Sequence, residues 1–272
     1  MEQYICKTVP SPEDKRDWNA GSIYKIHSIK AELDLRNNLP PVRNQGTQGT
    51  CAAQTAACMK EWQEQKDYNF NGYMSPQFIY NNRENQESEG MFGRDVMRIL
   101  SKIGSIEDAI YNYGKIESVE DIEDQFYEKA KMHKIKNYAR IYDIDSLKKA
   151  LNINGPCYIA LPVYNYGSRM WKQTDDDEMQ GGHAMTIVGY NREGFIIRNT
   201  WGTNWGDNGY CIYPYSDWGS HWEIWTTIDE KSYIEDIVSD QDSDSDSEID
   251  SHDDENRENT ESICKKIYKL FC

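Results

Sequence analysis

The sequence predicts an α+β protein of two lobes, and three observations carry that expectation. The first half holds alanine-rich and capped helical stretches. The second half holds short β-branched and aromatic segments divided by Gly, Asn and Asp, and 272 residues suffice to bury a sizeable core. Helices gathered first and strands gathered second give an α+β arrangement, and the cleft between two lobes is a common place for a site.

Residues 1-30 mix charge, proline and few apolar positions, and read as an irregular N-terminal extension anchored by Trp18, Ile23, Tyr24 and Ile26. The globular part runs over 31-228, divided into a mainly helical lobe at about 44-140 and a mainly β lobe at about 141-228. Its first helix extends from Cys51 to about Lys66, because Ala52, Ala53, Ala56 and Ala57 favour helix. A second begins in "SPQFIYNNRENQ" with Ser75 as N-cap and Pro76 in the first turn, and a third covers "GRDVMRILSKIG". Charged, tyrosine-rich connections follow from Gly104 to about Lys136. "DIDSLKKALNINGP" is a short helix capped by Asp145 or Ser146 and ended near Asn154 and Gly155. "CYIALPVY", "HAMTIVGYN", "GFIIRNTWG", "GYCIYPYS" and "HWEIWTTID" are strands of an antiparallel sheet or open barrel.

The formal charge of -16 is concentrated at one end, since Asp229 to Glu261 hold fifteen acidic residues against Lys231 and Arg257. Residues 229-262 therefore read as a disordered acidic tail, able to bind a basic partner, and 263-272 as a short basic segment. The mildly acidic remainder excludes a nucleic-acid partner, which would need clustered Lys and Arg. No apolar run reaches the roughly 20 residues of a membrane span, and "MEQYICKTVPSPEDK" lacks the apolar core of a secretory signal. Seven scattered cysteines fit neither a disulfide framework nor a zinc site, so an intracellular, probably cytoplasmic-type reducing setting, with no metal or other cofactor, is the expectation.

Chemistry is concentrated in three segments. In "NQGTQGTCAAQ", Gly46 and Gly49 release the backbone just before a helix whose N-terminus carries Cys51. Unpaired N–H groups and the positive end of the helix dipole there favour the thiolate. In "QGGHAMTIVGY", two glycines deliver His183 to the start of an apolar strand. In "FIIRNTWGTNWGDNGY", Asn199 is followed by Trp201 and Trp205, giving an amide oxygen to orient an imidazole and tryptophans to shield the bond from water. The other histidines read as surface positions (His27, His133, His252) or as a strand-packing residue (His221).

This set resembles the papain-type cysteine peptidases, whose histidine and asparagine follow the cysteine at about the separations of 132 and 148 residues seen here. The likeness runs from about residue 31 to about 228, through "PVRNQGTQGTCA", "GGHAMTIVGY" and "RNTWGTNWGDNGY". It implies the papain-like two-lobe fold and hydrolysis of protein or peptide substrates. Cys51 would be the nucleophile, His183 the base and then the acid, Asn199 the orienting residue and Gln45 the oxyanion-hole amide. Trp201 would cover the Asn–His bond, Gly90 would pair with substrate backbone, and Met91, Phe92 and Ala184 would line an apolar pocket. Gln48 stands where secreted members have a disulfide cysteine, Ala52 where the family has tryptophan, and Gln54 where it has an aromatic residue. Two other readings are a papain-like scaffold whose working part is the tail, and a transglutaminase-like acyl transferase. The extension is too short for the family's independently folded propeptide, and is expected either to obstruct the cleft as a strap or to serve as plain structure. The acidic loop "TDDDE" before His183 is a solvated loop or a field favouring basic substrates.

Overall fold

The computed structural model describes residues 4–24, 28–174 and 176–229. His27, Ile26, the acidic tail beyond Asp229 and the basic segment 263-272 lie outside the described residues.

The first half is helical. Helix α1 (Cys51–Tyr68) buries every residue from Cys51 to Glu64, and so has no polar face in that stretch. Its polar side chains are satisfied internally: Lys60 pairs with Glu64 (2.9 Å) and Asp229 (3.3 Å), and Gln63 donates to Thr227. Helix α2 (Pro76–Asn81) starts as its sequence dictates, with the Ser75 hydroxyl accepting from Phe78 N and Pro76 in the first turn. It stops at Asn81, well short of the quoted twelve-residue stretch. The Arg83 guanidinium there gathers the carbonyls of Tyr80, Gln86 and Ser88 into a turn. Helix α3 (Gly93–Lys102) follows.

The connection read from Gly104 to Lys136 contains a further helix, α4 (Asp124–Ala130), which adds Ala130 to a small cluster with Phe78, Ile106, Tyr111 and Ile122. Helix α5 (Ile144–Ile153) is capped by Asp143, not by Asp145 or Ser146. Asp143 has the extended backbone of a cap and its carboxylate accepts from Ser146 N at 2.7 Å.

Seven strands make one antiparallel sheet: β1 (Leu33–Asp34), β2 (Asn137–Arg140), β3 (Cys157–Val163), β4 (Gly181–Tyr190), β5 (Gly194–Arg198), β6 (Tyr210–Pro214) and β7 (Glu223–Ile228). The order is β2-β7-β3-β4-β5-β6, with β1 paired to β4, and the sheet is open rather than closed into a barrel. Strand β3 is buried on both faces, which explains its continuous apolar run. Alternate residues serve different cores. Cys157, Ile159, Leu161 and Val163 enter the cluster of the β lobe, while Tyr158 and Ala160 join α1, α3 and Ala184 in the cluster of the helical lobe. The two lobes therefore meet across β3 and β4, with α1 lying against β4.

The extension is only partly as anticipated. Tyr24 is buried, with its hydroxyl accepting from Asn154 Nδ2, and Ile23 packs against the β-lobe core. Trp18 is 43% exposed, and its contribution is a carbonyl that accepts from Arg140 N. The stronger ties are polar: Arg94 grips Asp17 through two nitrogens, and Ser11 N donates to the buried carboxylate of Glu223.

Candidate active site

Cys51 is the first residue of α1, 0% exposed, and its position depends on the tight loop before it. Gly46 has φ +61, and any side chain at Gly49 would place a Cβ 2.2 Å from the Glu89 carbonyl oxygen. Segment 40–45 is pinned from both lobes. Arg198 of β5 donates to the carbonyls of Pro40 and Pro41, while Arg43 donates to Met74 O and to the buried Glu61 of α1.

That bracing fixes Gln45, which is 1% exposed. Its backbone N–H donates to Thr200 O, its Oε1 accepts from the Thr200 hydroxyl at 2.6 Å, and its Nε2 donates to Gln48 O. With Oε1 engaged, the amide's NH₂ end is forced toward the cleft, where it also reaches the Ile5 carbonyl at 3.3 Å.

Strand β4 supplies His183 from the helical-lobe side of the sheet, and Asn199 follows the last residue of β5. His183 Nε2 lies 2.7 Å from Asn199 Oδ1, and Thr200 N donates to the same oxygen. Among the described residues Nδ1 has no hydrogen-bond partner of its own, which leaves it for the thiol. Trp201 stacks on the imidazole with centroids 4.3 Å apart, and Trp205 meets Trp201 edge-on. Burial alone would push the Cys51 thiol up. Hydrogen bonding to His183 and its charge, then the Thr8 hydroxyl and Ala184 N–H, outweigh burial and bring it down to about 7. The other described thiols lack such partners: burial pushes Cys58 up to about 11 and Cys6, Cys157 and Cys211 up to about 12. The structure thus brings Cys51, His183, Asn199 and Gln45 to one place.

The remaining positions are more varied. Met91 and Ala184 are fully buried in the helical-lobe cluster, with Phe92 half-buried beside them. Gly90 faces the chain's own extension: a Cβ there would fall on the Lys7 carbonyl oxygen. His133 is not a plain surface histidine, since its Nδ1 lies 2.9 Å from Glu64 of α1. His221 accepts from or donates to the Tyr213 hydroxyl, and burial lowers it to about 4.

The extension crosses the site. Tyr4 stacks on Trp201 at 4.2 Å, Ile5 meets Gln45, Lys7 bridges Gly182 in parallel, Thr8 Oγ1 lies 2.9 Å from Cys51 Sγ, and Val9 N reaches Met91 O. Thr8 and Tyr4 escaped the reading of the sequence, because an irregular segment offers no period from which to infer contact. Thr200, lodged between Asn199 and Trp201 in "RNTWG", was legible as a neighbour of the site and was passed over.

Such a cysteine at a helix start, paired with a histidine and an asparagine across a two-lobe cleft, defines a papain-like thiol hydrolase site. The chain belongs to the papain family of cysteine proteases, whose family profile matches residues 29–222. It is 32% identical over 197 residues to an uncharacterized peptidase C1-like protein of Acanthamoeba polyphaga mimivirus, covering 63% of each chain. Over 202 residues it is 29% identical to cathepsin K of Mus musculus, covering 68% of this chain and 59% of that one. The chain thus spans about three fifths of the length of these curated relatives. Among solved structures, xylellain, a cysteine protease from Xylella fastidiosa, superposes with a TM-score of 0.70 at 27% identity, over 82% of this chain and 96% of that one. Among the described residues no cluster of His, Cys, Asp or Glu has metal-holding geometry, and no helix is long and apolar enough to cross a membrane.

Proposed function

We propose that this chain is a thiol peptidase that cuts peptide bonds through a thioester on Cys51, and that residues 4–9 hold it in a latent state. The observation that carries the first part is the selective lowering of one thiol, Cys51, beside an imidazole tied to Asn199 at 2.7 Å. In acylation the Cys51 thiolate attacks the carbonyl carbon, and the oxyanion is received by Gln45 Nε2 and the Cys51 N–H. His183, protonated by the thiol's proton, passes it to the departing amine. In deacylation His183 takes a proton from water, the hydroxide attacks the thioester, and the thiolate leaves. Asn199 holds the ring so that Nδ1 faces the sulfur throughout.

Latency rests on occupancy. Thr8 sits on the sulfur and the Ile5 carbonyl on the Gln45 amide, so a substrate carbonyl has no room. The segment enters past Trp201 and leaves past Phe92. A substrate's leaving amine must lie beside His183, on the Trp201 side, so the segment runs opposite to a productive peptide and offers no bond in register for attack.

A chain beginning at Ser11 tests both parts. It keeps the ties of Ser11, Asp17 and Tyr24 while clearing the cleft. Hydrolysis of a fluorogenic peptide mixture is expected to rise at least about 10-fold over the full chain and to vanish in its Cys51→Ala form. Equal activity with and without residues 1–10 would remove the latency, and persistence in Cys51→Ala would remove the mechanism.

A further inference from the structure

Trp201 carries a second ring besides His183. Tyr4 lies on it with centroids 4.2 Å apart and planes only 9° from parallel, while Tyr166 closes the side edge-on, 5.5 Å from Tyr4 and 6.0 Å from Trp201. Tyr166 is held there by its own carbonyl, which accepts from Trp205 Nε1 at 2.8 Å, so this wall is fixed by the same tryptophan pair that covers the catalytic histidine. Tyr4 is therefore seated as a ligand would be, in a two-sided aromatic slot contributed by the body of the protein. When the strap leaves, the slot is empty.

The position of the slot relative to the chemistry is set by the site. A reacting carbonyl oxygen must lie between Gln45 Nε2 and the Cys51 N–H, and the amine that departs must lie beside the imidazole that protonates it. Trp201 is the ring stacked on that imidazole. Residues following the broken bond consequently run over Trp201, while those preceding it run toward Gly90 and Phe92. We infer that Trp201 and Tyr166 form a binding slot for an aromatic side chain just beyond the scissile bond, so that this chain selects peptides in which Tyr, Phe or Trp follows the cut.

The inference rests on the peptidase reading, and Tyr4 is the natural mimic that fills the slot in the latent state. Stacking and edge-on packing of this kind discriminate an aromatic from an aliphatic side chain by about 2- to 10-fold. A fixed Tyr166 lowers the ordering cost of that contact, because only the incoming ring must be immobilised.

The test uses the full chain carrying Tyr4→Ala, which uncovers the slot. Quenched fluorescent peptides share one acyl half and differ only in the residue after the cut bond: Tyr, Phe, Trp, Leu or Ala. The expected result is kcat/KM higher for the aromatic members than for Leu by about 2- to 10-fold, a ratio that falls toward one in Tyr166→Leu and survives in Tyr166→Phe. Equal rates for Tyr and Leu peptides, or a ratio unmoved by Tyr166→Leu, overturn the slot. Alkylation of Cys51 by iodoacetamide gives a second readout that needs no turnover. Millimolar tyrosinamide should slow it and alaninamide should not. A chain that cuts nothing yet shows this protection keeps the slot and loses the peptidase reading. A chain that cuts peptides with neither preference nor protection keeps the peptidase reading and loses the slot.

Discussion

Two segments meet at Cys51, and they are held in different ways. Helix α1 delivers the thiol from beneath, with every side chain from Cys51 to Glu64 buried and its charged residues paired inside the protein. The strap covers the thiol from above through a few main-chain contacts, one of them at 3.5 Å, with Lys7 and Pro10 exposed beside them. Moving α1 would open both cores and strand Lys60 and Glu61 without partners, a cost of several kcal/mol. Lifting residues 4–9 gives up an aromatic stack and a handful of hydrogen bonds, each worth on the order of 1 kcal/mol. A catalytic group placed on the rigid side and a cover placed on the weakly held side make a site that is preorganised yet able to open.

The comparison breaks most sharply on the rigid side. Cys51→Ala is expected to lower peptide turnover by at least about 10⁴-fold, with His183→Ala close behind and Asn199→Ala milder at about 10²-fold, all with unchanged far-ultraviolet circular dichroism. The order matters more than the sizes, because Asn199 orients a group that still exists without it. An Asn199→Ala loss as deep as that of Cys51→Ala would show that the asparagine does more than hold the ring.

Gln45→Ala sharpens the same side with a smaller effect, a loss of about 10²-fold carried by kcat rather than KM, since the amide is aimed at charge that develops only during reaction. A change confined to KM would place Gln45 in ground-state binding instead.

Much of this was legible in the sequence, for reasons that differ by segment. Strands β3 to β7 were, because β-branched and aromatic runs such as "CYIALPV" and "EIWTTI" are bounded by glycine, asparagine and proline. The catalytic order was, because Cys51 begins a helix and His183 follows two glycines. Helix α4 was not: only Ala130 of it is fully buried, so it shows no apolar stripe. Asp143, Asp145 and Ser146 are all capping residues, and only the extended backbone at Asp143 separates them. The strap was the least legible. Its burial alternates over only Cys6, Lys7 and Thr8, too short a run to carry a pattern, and its partners lie more than eighty residues away in Gly90 and Gly182.

The smallest effect probes the weakly held side. The Thr8 hydroxyl is one of the groups that lowers the Cys51 thiol, so Thr8→Val should move the midpoint of Cys51 alkylation upward from about 7. Alkylation speeds up as pH rises through that midpoint and the thiolate forms, so the variant's curve lies to the alkaline side. A midpoint unchanged by Thr8→Val would mean that the strap covers the sulfur without tuning it.

The central claim is that one thiol of this chain forms an acyl intermediate. It is tested most directly by mixing the chain beginning at Ser11 with an activated peptide ester, quenching in acid, and mapping the adduct by mass spectrometry. The account predicts a single thioester bearing the acyl half of the ester, located on Cys51, formed slowly in His183→Ala and absent in Cys51→Ala. An adduct spread over the other cysteines, or ester hydrolysis in Cys51→Ala at the parent rate, would contradict it.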